Sequence, residues 1–286
     1  IQKEYEMERL RITEAQLHAF ARQLEEEERS SATVEKYMRS IRQFAQWLNG
    51  QPVTKAAVGA WKETLLQRGQ ASATVNAKLT ALDRFLMLQG WSHCRVKHLR
   101  VQRRLFRAPE RELDRSEYAR LVDAAQKYNP RTGLVMETIC ATGIRVSEMQ
   151  YITVEAVLQG KAEISLKGKI RTILLPGKLC RKLMKYANKQ KIASGEIFLT
   201  RSGKRLSRKQ IWAEMKAVCD MAGVAKTKVF PHNLRHLFAR VFYQACRDVA
   251  RLADVLGHSS IETTRIYLIS TGSEHIKTLE RLRLVI

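Results

Sequence analysis

Apolar residues recur at intervals of three and four through most of this chain, and that spacing predicts amphipathic helices. Each stripe in the first hundred residues begins after a capping residue, and most end near a glycine, as helices do. The four helices predicted there begin near Thr13, Ser31, Thr54 and Ser72. The clearest stripe consists of Val34, Tyr37, Ile41, Phe44 and Leu48. The region should therefore fold as a small helical bundle.

The pattern stops between positions 95 and 115, where the sequence RVKHLRVQRRLFRAPERELDR is rich in Arg and Lys and has no sustained apolar period. A segment of this kind is typical of a linker between domains. We therefore predict a helical domain over residues 1–99, a basic interdomain linker over 100–112 and a second domain over 113–286. A basic linker can lie along a phosphate backbone, although a merely solvated connector has the same composition.

The second domain also shows the helical period, but the period changes after Gly160. The segments AEISL (162–166) and RTILL (171–175) predict two short strands, and the turn KGKI joins them as a hairpin. The segment EIFLT (196–200) predicts one more short strand, before a helix that is capped by Ser207 and runs to about residue 222. Because the remaining segments are helical, the expected fold class is mainly α with a small antiparallel β-sheet.

Composition adds a polyanionic partner to this picture. The 286 residues include 51 Lys and Arg against 28 Asp and Glu, which gives a formal net charge of +23. The excess is spread over helices with apolar faces and not confined to a tail, which favours nucleic acid over an anionic membrane surface. No apolar run approaches the length of about 18 residues that a membrane span needs, so no membrane partner is expected.

The cysteines are scattered and lack the spacing of a metal site, so we expect reduced thiols, no metal and no cofactor. These features predict a cytoplasmic protein associated with the nucleoid. The chain starts with Ile and not Met, so we expect an upstream segment, which could have held a further DNA-binding domain.

Candidate chemistry is concentrated between positions 229 and 267, in the segments VFPHNLRH and LGHSSIETTRIYL. His232 and Arg235 are three residues apart at the start of a predicted helix, where an anion is favoured. Both can contact the oxygens of one phosphate, and Arg235 can do so in bidentate fashion. His258 follows in a turn, and Tyr267 lies on an apolar helix. Taken singly, His232 and Tyr267 fit a core position equally well or better.

Arg145 lies outside that region but carries a related signal. Glu148 is three residues further on, which allows an ion pair that would hold the guanidinium in one orientation. A surface ion pair without a function is the simpler interpretation. Gly143, just before Arg145, is expected at the start of a helix. His236, next to Arg235, is expected to point away as a buried structural histidine.

Three motifs, ATGIRVSE, HNLRH and LGHSSIETTRIY, resemble in order and spacing the signatures of the tyrosine recombinase (phage integrase) family. The resemblance is close over residues 114–270, and the N-terminal bundle is similar, less specifically, to the family's core-binding domain. It implies a helical core-binding domain followed by a tyrosine-recombinase catalytic domain. It also implies that a tyrosine attacks a DNA phosphodiester, giving a 3′-phosphotyrosyl bond and a free 5′-hydroxyl without metal or ATP.

The resemblance assigns the groups around the phosphate. Tyr267 is the nucleophile, and Arg145 and Arg235 clamp the phosphate. His258 donates a hydrogen bond to the same phosphate. Because no metal signature is present, these side chains must stabilise the negative charge of the transition state.

The resemblance also assigns the groups that move protons. His232 is the base or proton shuttle for the attacking tyrosine. Lys167, in the predicted hairpin, is the acid that protonates the leaving 5′-oxygen. Leu166 stands where the family often has a glycine ahead of that lysine, so Lys169 is a second choice for the role.

The implied partners are double-stranded DNA recombination sites, on which a homotetramer joins two sites, with accessory DNA-bending proteins as a further class. A C-terminal helix over residues 275–286 would pack on a neighbouring subunit or on its own domain. The biological outcome would be integration or excision of a mobile element, or Xer-type resolution. A DNA-relaxing enzyme of the type IB topoisomerase kind and a DNA-binding protein without catalysis are the alternatives.

Overall fold

The computed structural model describes residues 10–101, 111–166, 169–258, 260–265, 267 and 280–282. The chain separates into two compact units, residues 1–103 and 104–286. The described residues are mostly helical, with one antiparallel sheet of two strands. The predicted fold class, mainly α with a small antiparallel sheet, is confirmed.

The first unit is a bundle of α-helices around an apolar core. The helices are α1 (Glu14–Glu26), α2 (Ser31–Leu48), α3 (Lys55–Gln67) and α4 (Ser72–Leu88). Thr13 and Gln16 form a capping box at the predicted start of α1, and Thr54 caps α3. The caps predicted at Ser31 and Ser72 are wrong, because each serine is the first helical residue and no side-chain hydrogen bond caps either helix.

The second unit contains the remaining elements. Its first helices are α5 (Arg115–Tyr128), α6 (Pro130–Thr142) and α7 (Val154–Gln159), with a 3₁₀ turn at Val146–Tyr151. Strands β1 (Lys161–Leu166) and β2 (Lys169–Leu174) follow, and then α8 (Gly177–Lys189), α9 (Arg208–Ala217) and α10 (Cys219–Ala222). The last described helices are α11 (Pro231–Cys246), α12 (Val249–Leu256) and α13 (Ile261–Arg265).

Two sequence expectations in this unit need correction. The segment 196–200 forms only isolated β-bridges, from Glu196 to Thr153 and from Leu199 to Arg205, and not a strand. The helix predicted from Ser207 onward is interrupted at Val218, where α9 ends and the short α10 begins. Ser207 caps α9 as predicted, and it forms a capping box with Gln210.

The hairpin packs one face on the core of the second unit. Ala162 and Ile164 of β1 and Ile173 of β2 are buried, whereas Ile170 and Leu174 on the opposite face are largely exposed. This alternation follows from the two-residue period of a strand. Ile164 pairs with Arg171 in the antiparallel register, so Arg171 shares the inner face with Ile173.

The start of the second unit is fastened to α11. Arg240 donates to a carboxylate oxygen of Glu112 at 2.5 Å and to the carbonyl oxygen of Leu113 at 2.6 Å. Asn233 donates to the carbonyl oxygen of Arg111 at 3.0 Å. These contacts fix where the chain enters the unit relative to the helix that carries two candidate site residues.

Candidate active site

Arg235 lies in the second turn of α11 and is almost completely buried, with 2% of its surface exposed. Its guanidinium donates to the carbonyl oxygens of Gly143 and Leu256, the latter at 2.7 Å. It also contacts Nε2 of His258 at 3.0 Å. No carboxylate among the described residues forms a hydrogen bond or ion pair with Arg235. Burial lowers the pKa of the guanidinium, and a hydrogen bond with Tyr267 raises it.

Arg145 follows the end of α6. Gly143 ends that helix in the left-handed conformation, with φ of 64°, so its expected place at a helix start is wrong. A Cβ at this position would lie 2.5 Å from the ring of Phe238, so no larger residue fits without a shift. The tight turn that follows brings Arg145 to the same region as Arg235.

The predicted ion pair of Arg145 with Glu148 is present. Arg145 Nη1 lies 2.9 Å from a carboxylate oxygen of Glu148, and its backbone N–H donates to the other oxygen at 2.9 Å. Arg145 Nη2 lies 3.4 Å from the carbonyl oxygen of Gly257. The Glu148 side chain is 3% exposed and the Arg145 side chain 40% exposed. The buried Glu148 therefore fixes the orientation of the Arg145 guanidinium, and part of the guanidinium remains accessible to solvent.

Arg171 is the second arginine at the Glu148 carboxylate, and no motif in the sequence identified it. Its Nη1 lies 3.3 Å from a carboxylate oxygen of Glu148, and its Nη2 donates to the carbonyl oxygen of Val255 at 3.0 Å. The inward register of β2 could have indicated a buried arginine there, but its partners are distant in sequence.

His258 follows the end of α12, where Gly257 adopts the left-handed conformation with φ of 62°. Its Nδ1 lies 2.8 Å from Oγ1 of the buried Thr264, and its Nε2 faces Arg235. Because a guanidinium can only donate, Nε2 must accept, and the ring proton lies on Nδ1. Burial and then the neighbouring charge of Arg235 lower the pKa of His258 to about 4. The imidazole is thus neutral near pH 7.

Tyr267 lies inside this group and is 5% exposed. Its ring is nearly parallel to that of His258, with 5.6 Å between centroids, and lies 5.8 Å from the ring of His232. Its side chain interacts with the Arg235 guanidinium, and this interaction raises the pKa of Arg235 against the effect of burial. The candidate nucleophile and the candidate clamp therefore come from the same chain.

His232 is in the first turn of α11 and is exposed on the outer side of the site. The expectation for His236 was wrong. Its ring lies 4.4 Å from the ring of Tyr267 and 4.6 Å from that of His232, and it is only half-buried. It faces Tyr267 because one helical turn places residues 232 and 236 on the same side of α11.

Lys167 lies outside the described residues. Lys169 is the first residue of β2, and only its backbone is described. Across the described ranges, no cluster of His, Cys, Asp and Glu is arranged to hold a metal ion. All five cysteines are free thiols. The helices that the structure describes include none with the length and apolarity of a membrane span.

Comparison with known proteins gives one consistent result. Residues 111–274 match the phage integrase family, and residues 17–91 match the phage integrase N-terminal SAM-like domain. The chain is 30% identical to tyrosine recombinase XerC of Roseiflexus castenholzii, with 88% of each chain covered. It is 26% identical to tyrosine recombinase XerA of Pyrococcus furiosus, with 94% of each covered. Its fold is similar to that of lambda integrase in a tetramer bound to a Holliday junction, with a TM-score of 0.70, 19% identity and 88% and 76% of the two chains covered.

Proposed function

Because the chain belongs to the phage integrase family of tyrosine recombinases, we propose that Tyr267 is the residue through which it cleaves and rejoins DNA strands. One observation carries this assignment. The Tyr267 ring lies within 6 Å of the rings of His232, His236 and His258, and its side chain interacts with the buried Arg235. A buried tyrosine in an ordinary core is surrounded mainly by apolar side chains, whereas Tyr267 is close to a cation and three imidazoles.

In the proposed reaction, the Tyr267 hydroxyl attacks a scissile phosphate. The bond from the tyrosine oxygen to phosphorus forms as the bond to the 5′-oxygen breaks. The product is a 3′-phosphotyrosyl enzyme and a DNA strand with a free 5′-hydroxyl. The reverse reaction with a 5′-hydroxyl from another strand rejoins DNA, and the phosphotyrosyl bond conserves the energy that this step needs.

Arg235 and Arg145 would stabilise the charge on the non-bridging oxygens. Arg235 is positioned by two carbonyl groups and carries no carboxylate partner among the described residues, so its charge is available to an incoming phosphate. Arg145 is oriented by Glu148 and is partly exposed. Preorganised cations of this kind commonly contribute a large part of catalysis because they need no rearrangement during the reaction.

His258 would change its hydrogen bonding when phosphate enters. In the free site its Nε2 accepts a hydrogen bond from Arg235. Donation to a phosphate oxygen requires a proton on Nε2, and the negative charge of the phosphate favours that protonated form. Thr264, which contacts Nδ1, can accept from the protonated ring and keep its orientation.

His232 would accept the proton of Tyr267, and a hairpin lysine would protonate the leaving 5′-oxygen. Lys167 is the first candidate and Lys169 the second. A substrate whose bridging 5′-oxygen is replaced by sulfur needs no acid, because a thiolate leaves readily. Lys167→Ala should slow cleavage of normal DNA and be rescued by this substrate, whereas Lys169→Ala should cleave normally. The reverse result would assign the role to Lys169.

The nucleophile is tested with a nicked suicide substrate that traps the covalent adduct. The unaltered protein should form an adduct that survives denaturing electrophoresis, and Tyr267→Phe should bind the same DNA without forming one. Tyr243→Phe is the matched control, since Tyr243 packs against the same apolar cluster and should form normal adduct. An adduct in Tyr267→Phe, or its loss in both variants, would contradict the assignment.

The proposed substrate is a pair of double-stranded recombination sites held by a homotetramer on nucleoid DNA. Lambda integrase provides the precedent for four subunits on a Holliday junction. The net charge of +23 suits a long phosphate backbone, and affinity should fall steeply as salt rises.

The C-terminal segment 275–286 is the proposed contact between subunits, and its deletion should weaken cooperative assembly on paired sites. Integration or excision of a mobile element and Xer-type resolution both use this reaction, and accessory DNA-bending proteins would act in the same assembly.

A further inference from the structure

Arg171 is a buried cation that the proposed mechanism does not use. It lies on the inner face of β2, and its side chain is 12% exposed. Nη1 contacts both carboxylate oxygens of Glu148, at 3.4 and 3.3 Å. Nη2 donates to the carbonyl oxygen of Val255 at 3.0 Å. One side chain therefore joins the hairpin to two other segments of the site.

The first of these segments carries Arg145. Glu148 receives Arg145 and Arg171 on the same carboxylate, and that carboxylate is 3% exposed. A buried carboxylate needs donors for most of its lone pairs. Arg171 supplies the donors that water would otherwise supply, and so fixes the orientation of Glu148. The orientation of Glu148 in turn fixes the Arg145 guanidinium.

The second segment carries His258. Val255 is in the last turn of α12, three residues before His258, and its carbonyl oxygen would otherwise lack a partner at the helix end. The Arg171 side chain also packs against Gly257. A Cβ added at Gly257 would lie 2.2 Å from Cδ and 2.6 Å from Nε of Arg171. The turn that presents His258 is thus shaped around this arginine.

The burial of the Arg171 side chain is unfavourable in two respects. Its Nε is buried and has no hydrogen-bond partner among the described residues. Burial also lowers the pKa of Arg171 to about 10, against the favourable charge of Glu148. The hydrogen bonds of both terminal nitrogens of Arg171 are thus made to Glu148 and to the carbonyl oxygen of Val255.

We propose that Arg171 is a positioning residue for the phosphate clamp, acting through Glu148 on Arg145 and through the 255–257 turn on His258. This inference rests on the proposed function, in which Arg145 and His258 stabilise the phosphate charge. Arg171 itself touches neither DNA nor the reacting atoms. Its loss should therefore affect the stabilisation of charge on the non-bridging oxygens and leave the departure of the 5′-oxygen unaffected.

Arg131 provides a matched control within the same unit. It is 14% exposed, pairs with Glu214 at 2.5 Å and donates to the carbonyl oxygen of Leu199 at 2.6 Å. Its Nε is also buried without a partner among the described residues. It lies in the first turn of α6, whereas Arg145 follows the last turn of that helix. Arg131 and Arg171 thus have the same kind of environment, but only Arg171 contacts the candidate site.

The test compares Arg171→Met, Arg171→Lys and Arg131→Met in single-turnover cleavage. Three scissile groups are used: the normal phosphodiester, a methylphosphonate that lacks one charged oxygen, and the diester with a 5′-bridging sulfur. Arg171→Met should cleave the phosphodiester roughly 100-fold more slowly, the effect of a displacement of about 1 Å in a catalytic group, with DNA affinity unchanged. Arg171→Lys should restore part of the rate, because an ammonium can still bind Glu148.

The substrate dependence decides the role. On the methylphosphonate, the difference between Arg171→Met and the unaltered protein should shrink to within about threefold, since less charge needs stabilisation. The sulfur substrate should not rescue it. Equal slowing on all three substrates, rescue by sulfur alone, or a normal rate in the folded variant would each overturn the proposal. Arg131→Met should lose stability without any substrate-dependent change, and a similar pattern there would also contradict it.

Failure of the proposed function gives a different result. If the unaltered protein formed no adduct at Tyr267 on the phosphodiester, that function would be wrong whatever Arg171 does. If the adduct forms normally and Arg171→Met shows no selective effect on the charged phosphate, only the positioning role is wrong.

Discussion

The segment 143–148 and helix α11 each contribute an arginine to the site, and they hold it in opposite ways. Arg145 is 40% exposed and paired with the buried Glu148, which it shares with Arg171. Arg235 is 2% exposed and is held by carbonyl groups and His258. One region neutralises its cation and leaves it accessible, whereas the other buries its cation without a contacting carboxylate among the described residues.

This difference indicates how the site is prepared for an anion. A buried charge without a counterion is costly, and an incoming phosphate relieves that cost. Arg235 therefore gains more from phosphate than Arg145 does, because Glu148 already compensates Arg145. We infer that Arg235 contributes more of the electrostatic stabilisation of the phosphate than Arg145 does.

The largest expected effect separates the two arginines directly. Arg235→Lys should reduce cleavage by roughly 10²- to 10³-fold, because an ammonium cannot reach the Gly143 and Leu256 carbonyl groups and the phosphate together. Each carbonyl group left without a donor should also destabilise the fold by about 1–3 kcal/mol. Arg145→Lys should lose only about tenfold, because Glu148 can orient an ammonium as well. Cleavage rates on a suicide substrate measure both, and equal losses would contradict the comparison.

An intermediate effect is expected from the glycine that precedes His258. Gly257→Ala should cost about 1–2 kcal/mol for the left-handed conformation and about 1–3 kcal/mol more for displacing Arg171. Gly160→Ala is the matched control, with φ of 69° and nothing within 4 Å of an added Cβ. It should show the conformational cost alone. Urea unfolding measures both variants, and equal losses would mean that the contact with Arg171 is relaxed at little cost.

Much of the fold could be predicted because its signals are local. Thr13 with Gln16, Asp114 with Glu117 and Ser207 with Gln210 form capping boxes at a three-residue spacing that any reader of the sequence can find. The alternation of the hairpin is local in the same sense. Gly143 was misplaced although a glycine after an apolar stripe is a local signal for the end of a helix, and it ends α6 in the left-handed conformation.

In the candidate site, contacts between residues close in sequence could be predicted, and contacts that depend on packing could not. The contact of Arg145 with Glu148 follows from their spacing, whereas the catalytic role of Tyr267 stays a prediction. Arg171 could not be found from the sequence, since its partner Val255 is 84 residues away and depends on how the hairpin docks. The prediction for His236 was wrong although the signal is local, because a spacing of four residues places it on the same side of α11 as His232.

The smallest effect concerns the pH dependence of stability, and it arises from the α11 side of the comparison. Burial and the charge of Arg235 lower the pKa of His258 to about 4, below the ordinary value of 6.5. Between these two values the unfolded chain binds more protons at this residue than the folded one, so the free energy of unfolding should fall as pH decreases from 6.5 to 4. The contribution is complete above pH 6.5.

His258→Asn should flatten this part of the profile in urea unfolding, whereas substitution of the exposed His93 should not. An unchanged slope in His258→Asn would mean that the Arg235 charge is compensated in the free site, and the contrast between the two arginines would then disappear.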